Sequence, residues 1–488
     1  MPQFLALDVG AESGRAVLGT LHEGLLALKE IHRFPNGGVP VLGTLYWDIL
    51  HIWKGLLDGL YRAADYDLAG VGLDTWSVDF ALLDSSGALL DNPVHQRDKR
   101  NNGMMARVFE KIPREELYRR TGIQFMQINT IYQLYAMALA DAPALRYAAT
   151  FLSIADLLNY WLSGRKAVEF SSATCTQFYD PLAGDWARDL LERLGIPTAM
   201  LPEVIPPGTI LGPLKAPVPN LEGKTPVIAV VTHDTGSAVA AVPTETERFV
   251  YISSGTWSLM GTEVYSPVIT PDSLKYNFTN EGGAAGTYRF LKNSLGMWLA
   301  QECRRTWALA GEEHSYDDMM QMAADAPPFG PLIDPEPSSP YFLAPGDMPA
   351  RIRAFCDKTG QPRPESKGAV LRCIFESLAL RYRLILEQLE EAMGHTMEVI
   401  HIVGGGSRNA LLNQFTADAT NRPVIAGPDE ATSAGNIMVQ AIATGHLGSI
   451  AEGRAMIRRS FDLARYEPHP SAAWDDAYAR FQGLATGH

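Results

Sequence analysis

Asp234 occupies the position in this sequence that is best suited to acid–base chemistry. It follows an apolar run at 227 to 231 that suits a buried strand, and it precedes small residues that suit a helix. At such a junction, free amide groups and the helix dipole favour an ionised carboxylate beside the crevice at the strand end. These properties suit a general base, but they equally suit an aspartate that only caps the helix.

A polar, glycine-containing turn near the start of the chain suits phosphate binding. Apolar runs at 4 to 9 and 16 to 21 flank the turn at 10 to 15, which predicts a β-hairpin. Glycine lets backbone amides approach an anion closely, and Asp8 at the end of the first strand could hold hydrated Mg²⁺. Most hairpin turns are only turns, so the pattern is weak by itself.

A second hairpin of the same form is predicted later in the chain, with strands at 249 to 253 and 257 to 262 and a turn at 254 to 256. Two such hairpins, one opening each half of the chain, predict a duplicated architecture. Folds of this kind bind a nucleotide in the cleft between the halves.

A glycine triplet late in the chain, Gly404, Gly405 and Gly406, lies between a predicted strand at 399 to 403 and a helix. Bare backbone at a helix start can approach a planar or anionic ligand. The pattern is not GxGxxG, because Asn409 stands where the last glycine would be, and GxxxxGK[ST] occurs nowhere. A Rossmann dinucleotide site and a P-loop are therefore both disfavoured.

Two further groups of polar residues could contribute to a site. Asp74, Ser77 and Asp79 crowd one strand-turn-strand segment, where two acids need partners if buried, although ordinary turn chemistry is the alternative. Asn293 and Gln301 are eight positions apart and would share a face if their segment were helical. They could equally be exposed amides.

Length and composition describe a globular protein of 488 residues that is 46% hydrophobic, which is enough for two or more domains. We predict a boundary between an N-terminal domain at 1 to 244 and a C-terminal domain at 245 to 488. Most of 104 to 200 reads as helical, and 201 to 225 reads as an irregular connector rich in proline and glycine.

Charge and hydropathy exclude several classes of protein. A net charge of −14 without a basic tract argues against nucleic-acid binding. No run of about 18 apolar residues suggests a membrane span, and the first residues lack the pattern of a signal peptide. We therefore expect a cytoplasmic protein without nucleic-acid or membrane partners.

The four cysteines are too few and too scattered for a disulfide framework, so we expect free thiols. Cys356 and Cys373 flank a polar loop and could be neighbours, which leaves a single bridge open. The eleven histidines form neither HExxH nor a cluster with cysteine, and we expect no permanent protein-bound transition metal.

In order and spacing, the motifs of this chain resemble those of FGGY carbohydrate kinases: DVGAESGR, HDTGSA, SSGTWSLMG, HIVGGGSRNALLNQ and PDEATSAGN. The resemblance runs over essentially the whole chain. Within the family, DTWSVDF, GIQFMQINTIYQL, FTNEGG and YRFLKN are most similar to the branch that phosphorylates L-rhamnulose. The chain departs from many relatives in lacking a threonine hydroxyl at Ala11 and in carrying Gln133 in place of a lysine.

The resemblance implies an α/β fold of two ribonuclease-H-like (actin-like ATPase) domains with a nucleotide and sugar cleft between them. It implies Asp234 as the catalytic base and Asp8 as the residue that holds Mg²⁺ through water. The implied ketose-binding residues are Ser77, His233, Asp234, Thr235 and Asn293. The implied ATP-binding residues are Ala11, Glu12, Ser13, Gly14, Arg15, Thr256, Gln301, Gly404, Gly405 and Gly406.

The activity that the resemblance implies is ATP-dependent phosphorylation of L-rhamnulose at O1, with Mg²⁺ as the cofactor of ATP. The partners are then a small ketose and ATP, and the enzyme is a monomer or a small homo-oligomer. One alternative is another FGGY kinase that acts on L-fuculose or a pentulose. The other is a non-catalytic nucleotide-binding module, which would lack the base or a phosphate turn.

Overall fold

A computed structural model describes residues 1–337, 341–469 and 471–485. The chain separates into two compact units. The first unit comprises Met1–Pro243, Glu263–Phe290 and Ala431–Ser460, and the second comprises Thr244–Thr262, Leu291–Glu430 and Phe461–His488. The domain boundary at 244/245 stays a prediction, and residues 338–340, 470 and 486–488 of the predicted C-terminal domain lie outside the described residues.

Strands and helices are interspersed along the chain. The strands are β1 (Gln3–Val9), β2 (Ser13–His22), β3 (Leu25–Pro35), β4 (Gly38–Val41), β5 (Thr44–Trp47), β6 (Leu68–Thr75), β7 (Phe80–Leu83), β8 (Thr150–Ser153), β9 (Val168–Glu169), β10 (Tyr179–Asp180), β11 (Asp185–Trp186), β12 (Val204–Ile205), β13 (Thr209–Pro213), β14 (Pro226–Ala229), β15 (Phe249–Ser254), β16 (Trp257–Val264), β17 (Thr279–Gly282), β18 (Tyr288–Leu295), β19 (Val399–Val403), β20 (Val424–Ala426) and β21 (Ala464–Tyr466).

The α-helices are α1 (Ile49–Arg62), α2 (Met104–Phe109), α3 (Arg114–Thr121), α4 (Thr130–Leu139), α5 (Pro143–Arg146), α6 (Ile154–Ser163), α7 (Phe170–Cys175), α8 (Arg188–Arg193), α9 (Asp234–Ala240), α10 (Pro271–Lys275), α11 (Trp298–Leu309), α12 (Tyr316–Asp325), α13 (Met348–Lys358), α14 (Lys367–Met393), α15 (Ala410–Thr420), α16 (Ala431–Ala443), α17 (Ile450–Ser460) and α18 (Ala472–Ala485). Short 3-10 turns lie at Lys99–Asn101, Ala284–Gly286 and Gly405–Arg408.

The sheet of the first unit has six strands in the order β13-β14-β6-β1-β2-β3. β1 and β2 form the predicted antiparallel hairpin, and β6 pairs in parallel with both β1 and β14. Continuous apolar runs such as those of β1 and β6 suit this buried, partly parallel sheet. Leu5, Leu7, Leu73 and Val227 belong to the core beneath it.

The second sheet has seven strands in the order β17-β18-β16-β15-β19-β20-β21. β15 and β16 form the second predicted hairpin, and β19 pairs in parallel with β15 and with β20. Each sheet thus contains an antiparallel hairpin whose first strand also pairs in parallel with a later strand. The predicted duplication and the mixed α/β class are confirmed.

Two sequence expectations were wrong. The connector predicted at 201 to 225 contains β12 and β13, and β13 extends the first sheet by pairing with β14. Asn293 and Gln301 share no helix, since Asn293 lies in β18 and Gln301 in α11. The segment YRFLKN belongs to β18, which runs on to Leu295. The helix α11 begins only at Trp298.

The helices α9 and α16 pack closely in the first unit because small residues form their contact. A Cβ atom built on Gly435 would lie 1.8 Å from the carbonyl oxygen of Ser237 and 3.4 Å from Cβ of Ala241. Only a glycine lets the two backbones approach to this distance. This contact sets the position of the helix that begins at Asp234.

All four cysteines are buried free thiols. Cys356 in α13 and Cys373 in α14 are close enough for each thiol to shift the pKa of the other, so they are the neighbours that the flanking loop suggested. In residues 1–337, 341–469 and 471–485, no helix combines the length and the apolar character that a membrane crossing requires.

The change Gly435→Ala should force α9 and α16 apart, because the added methyl group meets backbone that cannot rotate away. We expect a loss of about 1–3 kcal/mol in the free energy of unfolding, the usual cost of overpacking. Gly483→Ala in α18 is the matched control, since its Cβ would meet nothing within 4 Å. Urea unfolding measures both, and equal stabilities would contradict the packing.

Candidate active site

The candidate site lies where the parallel strands β6 and β14 end side by side. The amide of Thr75 donates to the carbonyl oxygen of Thr232 at 2.9 Å, and Thr75 and His233 form a parallel bridge. This pairing continues the two strands to the point where each turns away. It brings the segment of Asp74 and Ser77 next to Asp234, at the edge of the sheet where ligands of α/β proteins bind.

The buried carboxylate of Glu169, at the start of α7, anchors the strand end. Its Oε2 accepts from the amide and the hydroxyl of Thr232 at 3.0 and 2.7 Å, and its Oε1 accepts from the amide of Ser171 at 3.0 Å. The hydroxyl of Ser171 also bonds to Glu169 and in turn accepts from the amide of His233 at 3.1 Å. One side chain therefore fixes two consecutive residues before Asp234.

Asp234 is the first residue of α9, and the N-cap position belongs to His233. Its Oδ1 accepts from the amide of Thr235 at 2.6 Å and lies 3.3 Å from that residue's hydroxyl. Within the described part of the chain, no donor contacts Oδ2, and the side chain is 30% exposed. Oδ1 is thus held by the helix start, while Oδ2 makes no such contact among the described residues.

Three carboxylates of the first unit influence one another. Burial and then the charge of Asp8 raise the pKa of Asp74 well above its usual value, although Asn436 of α16 donates to Asp74 at 2.5 Å. Burial and the charge of Asp8 also raise the pKa of Asp234. The raised pKa makes Asp234 a stronger base, and it is available as a base only above that pKa.

These carboxylates fit a divalent metal ion. Hard cations such as Mg²⁺ prefer carboxylate oxygens, and a nearby cation relieves the repulsion between them. The buried Oδ1 of Asp74 has no hydrogen-bond partner among the described residues, which leaves one acceptor without a donor. Asp8 itself pairs with Arg15, whose Nη2 and Nε donate to Oδ2 at 2.8 and 3.0 Å.

In the turn between β1 and β2, the backbone at the tip is exposed, whereas the charged side chain of Arg15 is paired with Asp8. The amide of Gly10 donates to the carbonyl oxygen of Ser13 at 2.9 Å, and Asn36 closes the turn by bonding to Gly10 and Glu12. Residues 11 and 12 are exposed at its tip, whereas Ser13 and Gly14 already belong to β2. Arg15 is engaged with Asp8, so an anion at this turn would meet mainly the exposed tip.

Asp79, the acid that follows β6, has the partners that burial requires. Asp79 accepts from the indole nitrogens of Trp47 and Trp76 at 2.6 and 2.9 Å, and from Gln133 at 3.2 Å. Burial nevertheless raises the pKa of Asp79 to about 6. Asp79 therefore serves the packing of this segment, and Ser77 close to it is partly buried.

In the second unit, the hairpin turn and the start of α11 hold each other. The carbonyl oxygen of Thr256 accepts from the amides of Gly296 and Trp298, both at 3.1 Å, and that of Gly255 accepts from Met297 at 3.0 Å. These backbone hydrogen bonds fix the turn between β15 and β16 against the start of α11.

The glycine triplet of the second unit follows β19 and packs on the end of β15. Gly404 has a positive φ of 82°, and a Cβ at Gly406 would lie 2.0 Å from Oγ of Ser254. A Cβ at Gly405 would meet nothing within 4 Å. Two of the glycines are required by the fold, and Gly405 leaves its backbone open to a ligand.

Gln301 in α11 is one of the described residues of the second unit that have a polar atom without a partner. Its buried Oε1 has no hydrogen-bond partner in the part of the chain that the structure describes. Asn293 in β18 is partly buried and lies outside that helix. The structure thus does not group these two amides as a helical face.

Sequence reasoning missed several residues next to Asp234. Glu281 in β17 and Arg289 in β18 contact His233, and Cys175 at the end of α7 lies 3.5 Å from it. The first two belong to FTNEGG and YRFLKN, which carry the family resemblance but suggest no role by themselves. Glu169 gave only the weak signal of one acid between apolar residues.

Models of the FGGY family of carbohydrate kinases match both halves of the chain. The N-terminal domain model matches residues 3–241, and the C-terminal domain model matches residues 250–444. The chain belongs to the FGGY family of carbohydrate kinases. Membership implies a sugar kinase that uses ATP with a divalent metal ion.

Curated FGGY relatives match over nearly their full length. The chain is 44% identical to a protein named Rhamnulokinase from Bacteroides thetaiotaomicron, covering 98% of both chains. It is 42% identical to a Rhamnulokinase from Oceanobacillus iheyensis, covering 95% of this chain and 97% of the relative.

Solved structures share the FGGY fold at lower identity. A glycerol kinase from Plasmodium falciparum with ADP has a TM-score of 0.80 at 15% identity, covering 100% of this chain and 98% of its own. A xylulose kinase from Rhodospirillum rubrum has a TM-score of 0.79 at 20% identity, covering 99% and 98%. These likenesses support the two-domain α/β fold.

Replacement of Glu169 by alanine should release the strand end of this FGGY kinase. Several buried donors would lose their acceptor, at about 1–3 kcal/mol each, so we expect a loss of at least about 3 kcal/mol in the free energy of unfolding. We also expect kcat to fall in the protein that remains folded, because Asp234 is no longer fixed.

Glu376→Ala is the matched control, since Glu376 in α14 is a buried carboxylate that accepts from the amide of Phe329 and from Arg372. It should lower the melting temperature without lowering kcat at a temperature where the variant is folded. Equal kcat values in the two variants would mean that Glu169 only stabilises the fold.

Proposed function

We propose that this FGGY kinase phosphorylates L-rhamnulose at O1 with ATP, giving L-rhamnulose 1-phosphate and ADP. The observation that carries the proposal is the similarity to proteins named Rhamnulokinase at 44% and 42% identity over nearly the full chain. Identity at this level across both halves supports a shared substrate more strongly than a shared fold does, because kinases with this fold act on several different sugars.

Asp234 acts as the general base in this proposal. A primary hydroxyl is a poor nucleophile at neutral pH, and its attack requires that its proton be removed as the new bond forms. Oδ2 of Asp234 takes that proton while the O1 atom bonds to the γ-phosphorus, and the bond from phosphorus to the ADP oxygen breaks. The helix start holds Oδ1, so the acceptor oxygen keeps one orientation.

The remaining sequence-predicted residues keep their roles as proposals. Asp8 holds Mg²⁺ through water, and the ion when bound would spread the negative charge of the phosphates. The ketose is bound by Ser77, His233, Asp234, Thr235 and Asn293. ATP is bound by Ala11, Glu12, Ser13, Gly14, Arg15, Thr256, Gln301, Gly404, Gly405 and Gly406.

Several properties of the second unit support its nucleotide role. Gly405 leaves room at the backbone, and Oε1 of Gln301 is an acceptor without a donor among the described residues. Either group could bind a polar edge of the nucleotide. The cytoplasmic location and the monomeric or small homo-oligomeric state stay predictions from the sequence.

An ADP-release assay with Mg-ATP tests the substrate. The panel is L-rhamnulose, L-fuculose, L-xylulose, L-ribulose, D-xylulose and glycerol, with a sugar-free reaction as the blank for ATP hydrolysis. We expect the highest kcat/KM with L-rhamnulose. A higher value with another sugar would overturn the substrate but keep the kinase, and no release above the blank with any sugar would contradict both.

The change Asp234→Asn tests the base. Asparagine keeps an oxygen for the amide of Thr235, so the fold and the affinity for ATP should persist while kcat falls at least about a hundredfold. Asp318→Asn is the control, because Asp318 also lies in the first turn of a helix and accepts from the backbone. Near-normal turnover of Asp234→Asn would exclude Asp234 as the base.

A further inference from the structure

His233 and three other side chains form a buried group in the first unit. Nη2 of Arg289 lies 3.0 Å from Nδ1 of His233 and 3.1 Å from Oε2 of Glu281. The thiol of Cys175 lies 3.5 Å from the same Nδ1. We propose that Arg289, paired with Glu281, positions the catalytic base by fixing His233 as the neutral tautomer that carries its proton on Nε2.

The donor and acceptor roles in this group follow from the chemistry of the guanidinium. Arginine carries only donors and stays protonated in proteins, so Nδ1 must be the acceptor of the 3.0 Å hydrogen bond. An accepting Nδ1 carries no proton, and the proton of a neutral imidazole then lies on Nε2. Protonation of both nitrogens would direct an N–H group at the N–H group of Arg289.

Glu281 is the group that could favour the opposite tautomer, because its Oε2 lies 3.4 Å from Nδ1 of His233. The contact with Arg289 is shorter and has hydrogen-bonding geometry. Burial alone would raise the pKa of Glu281, but the Arg289 charge holds it below its usual value. Glu281 is therefore ionised and neutralises Arg289, which is fully buried.

Nε2 of His233 lies next to the proposed base. It is 3.5 Å from Oδ1 of Asp234, the oxygen that already accepts from the amide of Thr235. A proton on Nε2 attracts Oδ1 electrostatically at this distance and leaves Oδ2 as the basic oxygen. The opposite tautomer would place a lone pair against Oδ1 and push the carboxylate away.

The backbone holds Arg289 in place for this role. Its Nε donates to the carbonyl oxygen of Gly282 at 2.9 Å, one residue after Glu281. A Cβ built on Gly236 in α9 would lie 3.4 Å from the guanidinium carbon. The guanidinium thus packs beneath the first turn of the helix that Asp234 begins.

The same residues could be considered as a metal site, since ligand atoms of Cys175, His233 and Glu281 lie within 4.8 Å of one another. Nδ1 is the histidine atom nearest to the other two, and Arg289 already donates to it. A cation there would have to displace a buried guanidinium. The geometry therefore favours hydrogen bonding over metal binding.

Nitrogen NMR of the full-length protein labelled with ¹⁵N-histidine tests the tautomer directly. Comparison with His233→Gln assigns the signals of His233. We expect a protonated Nε2 and a lone-pair Nδ1 at neutral pH. A protonated Nδ1, or an imidazolium, would overturn the inference, and so would stoichiometric zinc in the purified protein that Cys175→Ala removes.

Kinetics of Arg289 variants test the positioning role, which rests on the proposed function. Arg289→Lys keeps a charge and a donor and should keep part of kcat. The double change Arg289→Met with Glu281→Gln removes both buried charges together, avoids an unpaired carboxylate, and should lower kcat at least about tenfold, the scale for losing a group that orients a catalytic side chain.

The KM for ATP should stay unchanged in both variants, and the double variant should lose the preference for the Nε2 proton. Arg372→Lys in α14, a partly buried arginine paired with a buried glutamate, is the control and should leave kcat and the tautomer unchanged. Wild-type kcat in the double variant would exclude the positioning role. If no sugar is phosphorylated, the proposed function fails, while the NMR result still decides the tautomer.

Discussion

The hydrogen bonds from Thr232 to the buried carboxylate of Glu169 are the constraint on which the first unit's chemistry depends. They fix the place where β14 stops and α9 starts, and so they fix the direction in which Asp234 projects. A buried carboxylate is costly unless its lone pairs are satisfied, and here four donors satisfy them. These hydrogen bonds offset the free-energy cost of burying the carboxylate, and they make the junction between β14 and α9 rigid.

The junction also determines what surrounds the base. Below it, Arg289 and Glu281 bury a full ion pair next to His233. Beside it, Asn436 from a late segment of the chain donates to Asp74, and Gln440 one turn later donates to the carbonyl oxygen of Leu5. The helix α16 thus supplies the polar partners that a cluster of acids at the sheet edge needs.

Much of this fold could be predicted from local patterns. Both hairpins, the strand at 399 to 403 and the helix after it follow from alternating and continuous apolar runs bounded by glycine. Asp234 could be identified because a strand-to-helix junction leaves a sequence signature. The N-cap position belongs to His233, a difference of one residue that periodicity cannot resolve, and the carboxylate of Asp234 accepts from the amide of Thr235 in the first turn of the helix.

The remaining features could not be predicted because they depend on contacts between distant segments. Glu169 and Thr232 are 63 residues apart, and Asp74 and Asn436 are 362 apart. No local pattern links a buried acid to its donor at such a separation. For Asn293 and Gln301, the local pattern was misleading. Their spacing suits one helix, but Asn293 lies in β18 and Gln301 lies in α11, with a turn between the two elements.

A crystal structure of the enzyme with L-rhamnulose and a non-hydrolysable ATP analogue is the most direct test of Asp234 as the base. Oδ2 of Asp234 should lie within about 2.6–3.2 Å of the O1 hydroxyl, with Oδ1 still bonded to the amide of Thr235. A sugar whose O1 lies beyond the reach of Asp234, or an Asp234 carboxylate turned away from the sugar, would contradict it.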